Sequence, residues 1–382
     1  MKLAIIASHP IQYYAPWFAR VACEIEELKV FYLWERDGNQ AHDTKFGREV
    51  IWDVPLLTGY DYQFISNSSS QPGTSSFRGL QNPSLFDEVS AFDPDAVLFT
   101  TLFYESPLKL LFKLSSMKKP ILFRGDSHAL VSPPRYRWLK KMIYSKLTAL
   151  LAVGEANRNF YRGLGVPEEK IYFAPHAINA ERFHKLSADE EVWVEEKKSE
   201  LGIQDGDIVF LFVGKLEEKK RPDWLAQCFS EWNQPKAKLI FIGEGDLSGT
   251  IDSYVKKDTR ILRLPFMNQS RMPAVYRLGH CLILPSSGPS ETWGLCVNEA
   301  MVSGLPALIS SHVGSGPDLI DEGKTGWIFE AENGAALLGC LDAAFSALPA
   351  NEEMSRSIRE RVEGYTYAVA SRGLHEALRA RV

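Results

Sequence analysis

Two glutamates, Glu291 and Glu299, stand with seven residues between them, among which are Gly294 and Leu295. An apolar, strand-like run, Cys281 to Leu284, precedes them, followed by a loop rich in Pro, Ser and Gly from Pro285 to Ser290. A helical segment then begins near Gly294 and is closed by Gly304 and Pro306. Glycine at a helix start lets a ligand approach the backbone closely. The N–H groups and dipole of such an end draw an anion, most naturally phosphate. A carboxylate repels phosphate but accepts hydrogen bonds from sugar hydroxyls. A phosphate seat with a carboxylate on either side suits a nucleotide sugar.

A second set of charges follows the apolar run Ile208–Gly214: Lys215-Leu216-Glu217-Glu218-Lys219-Lys220-Arg221-Pro222. Glycine at a strand end permits close backbone approach, and Lys215 and Lys220 can neutralise a diphosphate leaving group. Read alone, the same lysine run also describes a solvated surface turn. Gly243-Glu244-Gly245 is a Gly-x-Gly turn at another strand end, a weak signal taken by itself.

The paired glutamates, with the Pro-Ser loop before them and Asn298-Glu299-Ala300-Met301…Gly304-Leu305-Pro306 after them, resemble the E-x7-E signature of retaining glycosyltransferases of family 4. That resemblance implies an α/β chain of GT-B fold, two Rossmann-like domains facing each other across a cleft. It implies a nucleotide diphosphate sugar (UDP- or GDP-linked) as donor and a same-face substitution without an agreed enzymic nucleophile. Glu291 would then hold the donor sugar as a catalytic group and Glu299 the ribose. Lys215, Lys220 and the backbone of Gly294 and Leu295 would hold the diphosphate, beside Gly214. Gly245 and Met267 would border the nucleotide, Met267 in the strand-end turn that holds the base. The chain departs from the pattern at two places in the cationic loop: Lys215 stands where arginine is usual, losing the bidentate fork, and Arg221 stands where glycine is usual.

On the acceptor side the first strand–helix turn reads Ser8-His9-Pro10-Ile11-Gln12 in place of a glycine-rich turn, which makes His9 and Gln12 candidate contacts. Asp126 and His128 end the fourth apolar strand, where such enzymes often carry a functional histidine in a slightly different register; both are catalytic candidates. The blocks Gly154–Asn157 and Ile171–Asn179 also match, and His176 is expected to be mainly structural. The resemblance implies a metal-independent mechanism, and neither a metal nor a cofactor is expected. A nucleotide-sugar-binding protein or isomerase of the same fold is the alternative, distinguished by whether the donor is hydrolysed.

Those residues need strand ends to stand on. Apolar runs at Leu3–Ser8, Leu28–Trp34, Asp95–Thr100, Pro120–Gly125, Ala149–Gly154 and Lys170–Ala174 alternate with helical patterns at Tyr13–Glu24, Ser106–Ser116 and Pro134–Leu147. A second alternation runs through Ile208–Gly214, Lys238–Gly243, Arg260–Met267, Cys281–Pro285, Ala307–Ser310 and Gly326–Phe329. Strands alternating with helices predict mostly parallel sheets covered on both faces. The charged stretch 185–206 marks the boundary, giving an acceptor-binding domain over 1–185 and a nucleotide-sugar-binding domain over 186–364. The basic helix at 365–382 is expected to pack back on the first. Glu35–Tyr62, with Phe46, Trp52, Tyr60 and Tyr62, reads as irregular, and the low-complexity run Ser66–Ser84 as mobile.

A chain of 382 residues accommodates two such domains, and 45% hydrophobic with 24% charged residues is a globular composition. The N-terminal apolar run is cut short by His9 and Pro10, reading as a first strand rather than a signal peptide. Five scattered cysteines point to reduced core positions and a cytoplasmic setting without a zinc site. The net charge of −5 conceals 22 basic and 19 acidic residues through 188 against 21 and 29 beyond it. No acid falls within 127–154, while Arg135, Arg137, Lys140, Lys141 and Lys146 do, interleaved with Tyr136, Trp138, Met142 and Tyr144. A helix opened by Pro133 and Pro134 would put Tyr136, Leu139, Ile143 and Leu147 inward. Its cations and Trp138 would face out, either as a solvated face or toward an anionic membrane surface. The expected partners are the donor and a glycan or lipid-linked acceptor, with possible peripheral membrane contact and no nucleic acid.

Overall fold

The computed structural model describes residues 1–35, 40–43, 48–128 and 136–381. Phe46, Pro133, Pro134 and Arg135 lie outside the described residues. The chain divides into one unit of residues 1–41, 54–176 and 367–382 and a second of residues 42–53 and 177–366.

Strands form where apolar residues run unbroken, since a parallel strand is buried on both faces. Ile208–Val213, Ile-Val-Phe-Leu-Phe-Val, is buried at every position. In the first unit, in chain order, the strands are β1 (Lys2–Ala7), β2 (Glu27–Tyr32), β5 (Asp61–Phe64), β6 (Ala96–Phe99), β7 (Ile121–Gly125), β8 (Ala149–Ala152) and β9 (Ile171–Phe173). They form a parallel sheet in the order β5-β2-β1-β6-β7-β8-β9. Between β2 and β5 a separate two-stranded sheet is made by β3 (Gln40–Asp43) and β4 (Arg48–Ile51).

The period of two in β1 divides its side chains between two cores. Leu3, Ile5 and Ala7 pack with Trp17, Phe18 and Val21 of α1 (Ala15–Glu24). The same core takes Ala370, Leu374 and Ala377 of the C-terminal helix Tyr367–Arg381. Ala4 and Ile6 face α2 (Leu85–Phe92), α3 (Glu105–Ser116), α4 (Arg137–Ser145) and α5 (Glu155–Gly163).

Three expectations are corrected here. Glu35–Tyr62 is not wholly irregular, because β3, β4 and the start of β5 fall within it. Ser66–Ser84 is tied down rather than loose: Asn82 Nδ2 donates to the carbonyls of Leu33, Ile65 and Ser66, and Asn67 Nδ2 to that of Gly79. Its polar side chains satisfy the backbone locally, which composition does not reveal. Tyr136 is 44% exposed and Tyr144 only 3%. The helix starts one residue after Tyr136, so its inward stripe is Leu139, Ile143, Tyr144 and Leu147.

Besides residues 42–53, which hold β4, the second unit opens its long segment with two helices, α6 (Glu181–His184) and α7 (Ala188–Glu200), the latter opened by a capping box between Ser187 and Glu190. Its strands are β10 (Ile208–Val213), β11 (Ala237–Ile242), β12 (Ile261–Leu264), β13 (Cys281–Leu284), β14 (Ala307–Ser310) and β15 (Gly326–Phe329). All are parallel, in the order β12-β11-β10-β13-β14-β15. The order reverses between β10 and β13. In such a sheet ligands bind beyond the strand C-termini at that reversal.

Candidate functional site

The reversal brings together the turn after β10 and the loop after β13. Glycine is required where the first turn meets its neighbour: a Cβ on Gly243, at φ 145°, would lie 2.0 Å from the Gly214 carbonyl oxygen. The Gly-x-Gly turn thus closes on the cationic loop, and Leu216 N donates to Glu244 O at 3.0 Å. A Cβ on Gly245 would lie 2.5 Å from the Leu216 carbonyl oxygen, which is a packing reason for that glycine. Lys215 is half-buried beside them. A helical turn, Glu218–Lys220, then leads into α8 (Pro222–Glu231).

From that turn Lys220 reaches across the reversal. Its Nζ donates to Glu291 Oε2 at 2.6 Å, with the two side chains only 13% and 11% exposed. Ser286 Oγ donates to the same oxygen at 3.0 Å, and Ser287 N to Lys219 O at 2.8 Å, so the two loops are joined. Burial alone would push the Glu291 carboxyl up, but the Lys220 ammonium holds it below its ordinary range. Burial likewise works against charge on Lys220, and Glu291, with smaller help from Cys296 and Glu217, raises it above its ordinary value. Both shifts describe one buried ion pair.

Behind the loop, α11 (Leu295–Val302) starts at Gly294, whose φ of 88° is left-handed. A Cβ there would lie 2.8 Å from Leu284 Cδ2. No side chain caps this helix end. Further along it Glu299, 3% exposed, accepts from the Tyr276 hydroxyl at 2.8 Å. Tyr276 ends α10 (Met272–Tyr276) and also donates to Cys296 O at 3.3 Å. Burial pushes the Cys296 thiol up to about 12, with Lys220, Glu291 and Glu299 all close enough to influence it. Lys220, Glu291, Cys296 and Glu299 therefore form one cluster around the start of α11. Met267 is half-buried in the turn after β12; next to it Phe266 meets Trp52 edge-on at 6.4 Å. Asp53 Oδ1 accepts from Ser270 N at 3.0 Å.

His9, Gln12, Asp126 and His128 belong to the first unit, at the C-terminal ends of β1 and β7. His9 Nδ1 lies 3.0 Å from Ser8 Oγ, with its ring edge-on to Trp34; Gln12 is half-buried. Asp126 Oδ2 is 3.8 Å from His176 Nε2. Burial lowers the pKa of His176; Asp126 opposes this and Arg124 adds to it. Arg124, 3% exposed, donates to the carbonyls of Ala174 and Pro175 and lies against the Tyr14 and Trp17 rings. The loop carrying His128 is pinned where Asn157 Nδ2 donates to Ser127 O at 2.7 Å.

Sequence reasoning missed Ser286, Tyr276 and the Asp126–His176 contact. Ser286 sits in the Pro-Ser loop already singled out. Tyr276 carries no local signal, since its partner is 23 residues away.

Residues 194–361, most of the second unit, match the family model described as glycosyl transferases group 1. The chain is 24% identical over 305 residues to the sulfoquinovosyl transferase of Arabidopsis thaliana, covering 76% of this chain and 57% of that protein. It spans about half the length of the first curated relatives it matches. The structure is similar to that of HepE from Anabaena in complex with UDP, with a TM-score of 0.74, 14% identity and full coverage of both chains. It is similar also to a glycosyltransferase from Rickettsia africae, with a TM-score of 0.73 and 12% identity, covering 98% of this chain and 97% of that one. The two parallel-sheet α/β units have the fold of GT-B glycosyltransferases.

Proposed function

We propose that the chain is a retaining, metal-independent glycosyltransferase that takes its sugar from a nucleotide diphosphate donor. The observation that carries this reading is the Lys220–Glu291 pair at the sheet reversal, beside the uncapped start of α11. Lys220, Lys215 and the Gly294–Leu295 backbone hold the diphosphate. Gly214, Gly245 and Met267 border the nucleotide, and Glu299, oriented by Tyr276, accepts from the ribose. Glu291 accepts from a hydroxyl of the transferred sugar while fixing Lys220. Negative charge grows on the diphosphate as the glycosidic bond breaks. A cation held in place beforehand needs no reorganisation to meet it, and that is where electrostatic catalysis is strongest. His9, Gln12, Asp126 and His128 serve the acceptor side, with a glycan or lipid-linked saccharide as acceptor.

The UDP bound by HepE favours a uridine donor. No helix among the described residues is long and apolar enough to cross a membrane. Trp138, 65% exposed, with Met142 and Lys141 beside it on α4, supports a peripheral contact with an anionic membrane surface.

A thermal-shift screen of UDP, GDP, ADP and their sugars tests the donor. A ligand at a hundred times its dissociation constant adds roughly 2.7 kcal/mol. Absence of a shift with every nucleotide would refute the reading. Release of nucleoside diphosphate from the shifting donor separates an enzyme from a binder, metal chelation should leave that rate unchanged, and the anomeric configuration of the product by NMR decides retention.

A further inference from the structure

Among the described residues four non-glycines have left-handed backbone: Asp93, Lys118, Arg221 and Glu332. Asp93 and Lys118 follow helix C-termini, where that conformation is routine. Arg221 (φ 52°) closes the short helical turn Glu218–Lys220, its N–H donating to Glu218 O at 3.0 Å, while Glu332 (φ 63°) follows no helix. Each stands just before a helix, Arg221 ahead of α8 and Glu332 one residue before Asn333, the N-cap of a helix at Gly334–Ala347. Left-handed geometry gains Glu332 no helix ending, and at Arg221 it ends only a single turn with a side chain where glycine is favoured. The two are nonetheless bonded to each other, Arg221 Nη1 donating to Glu332 Oε1 at 2.7 Å. The same carboxylate oxygen accepts from Ser287 Oγ at 3.0 Å.

Three loops meet at that oxygen: the cationic loop after β10, the Pro-Ser loop after β13 and the loop after β15. The first two are also the loops that carry Lys220 and Glu291. Backbone strain of this kind persists only where the surroundings impose it, and it gathers at functional sites. We infer that Arg221, Glu332 and Ser287 form a clasp that positions Lys219, Lys220 and the Pro-Ser loop around the donor diphosphate. This rests on the donor site proposed above. Arg221 and Glu332 are positioning residues: they act through the loops they join, and the strained geometry is kept because it aims the guanidinium and the carboxylate at each other.

Glycine relieves left-handed strain but adds freedom to the unfolded chain, and these opposing effects are similar in size. Arg221→Gly and Glu332→Gly are therefore expected to melt at or slightly above the wild-type temperature. With UDP as the probe, calorimetry should show each variant binding about five- to tenfold more weakly, as for other coupled pairs. The double variant should be no weaker than either single one, and Arg221→Lys should recover part of the loss. The KM for acceptor should not move. Wild type that binds no nucleoside diphosphate would remove the donor site and the clasp together. UDP binding by wild type with both glycine variants within twofold, or with losses that simply add in the double variant, would overturn the clasp alone. A large fall in melting temperature would also overturn it, since the pair would then be a structural bridge.

Discussion

Replacing Lys220 by Met separates what the buried ion pair does for the fold from what it does for the reaction. The substitution keeps the apolar stem and leaves Glu291 11% exposed and without its cation, with Ser286 Oγ still donating to it. Removing one partner of a buried pair costs about 3–5 kcal/mol, since an uncompensated charge stays behind. For a unit of this size that is a fall in melting temperature of roughly 6–20 °C, at about 2–4 °C per kcal/mol. Replacing both partners, Lys220→Met with Glu291→Gln, should restore most of it, because a matched neutral pair is often as stable as the ionic one. Turnover should behave differently. Loss of a preorganised charge at the leaving group lowers kcat by about 10²–10³, and the double variant should remain as slow as the single one. The pH dependence gives a further reading. Glu291 sits below its ordinary 4.5, so its contribution is whole above about that pH and is lost as pH falls through the folded value. Lys220 sits above its ordinary 10.5, so its contribution is whole below that pH and is lost as pH rises through the folded value. In Lys220→Met the stranded carboxyl can take up a proton, so its deficit against wild type should shrink as pH falls from 8 to 5. A single variant melting within 2 °C of wild type at pH 7, or a double variant that regains turnover, would refute this account; scanning calorimetry and nucleoside diphosphate release measure both.

Glu299→Ala should weaken UDP binding by about 1.5–3 kcal/mol, the worth of a hydrogen bond to a charged group, and unchanged affinity in calorimetry would take Glu299 away from the ribose. Gly294→Ala forces a side chain into left-handed backbone 2.8 Å from Leu284 Cδ2, so it should cost about 1–3 kcal/mol in denaturant unfolding and weaken UDP binding as well. Vesicles of anionic lipid should sediment the protein at low salt, and Trp138→Ala with Lys141→Glu and Lys146→Glu should release it; equal binding to neutral vesicles would remove the membrane contact.

The strand ladder was legible because parallel strands write themselves as unbroken apolar runs. The expected Ile208–Gly214 and the observed Ile208–Val213 differ by one residue, and the runs at 281–284 and 307–310 fare as well. The short edge strand Asp61–Phe64 was not legible, being exposed at Asp61 and Tyr62 and half-buried at Gln63 and Phe64, with no apolar run to announce it. The candidate site was legible where chemistry coincides with backbone demand, as at Gly294, where the glycine marks the left-handed turn that opens α11. What stayed hidden were contacts between elements far apart in the chain. Lys220 and Glu291 were each singled out for a ligand, but their pairing across 71 residues comes only from the strand order. The clasp was hidden for the same reason, and Arg221 read only as a departure from glycine until its φ of 52° showed why glycine suits that place.

The seven-residue spacing acquires a physical meaning from these contacts. Glu291 lies in the loop ahead of α11 and meets the cation; Glu299 lies within the helix and meets the Tyr276 phenol. Between them Gly294 opens the helix and offers its N–H groups. Leu295 to Glu299 is four residues of helix, a rise of about 6 Å at 1.5 Å per residue. On the proposed reading that rise separates a phosphate seated at the helix start from the ribose it esterifies, while Glu291, on the other side of the seat, reaches the sugar. On that same reading the two carboxylates serve opposite ends of one diphosphate, and the interval between them answers to the ligand rather than to helix packing. One residue inserted between Leu295 and Glu299 would turn the second carboxylate by about 100° around the axis, away from Tyr276, while leaving the first untouched. Such a variant should keep the Lys220–Glu291 pair and lose nucleotide affinity; retention of wild-type UDP binding would show that the spacing serves the fold instead.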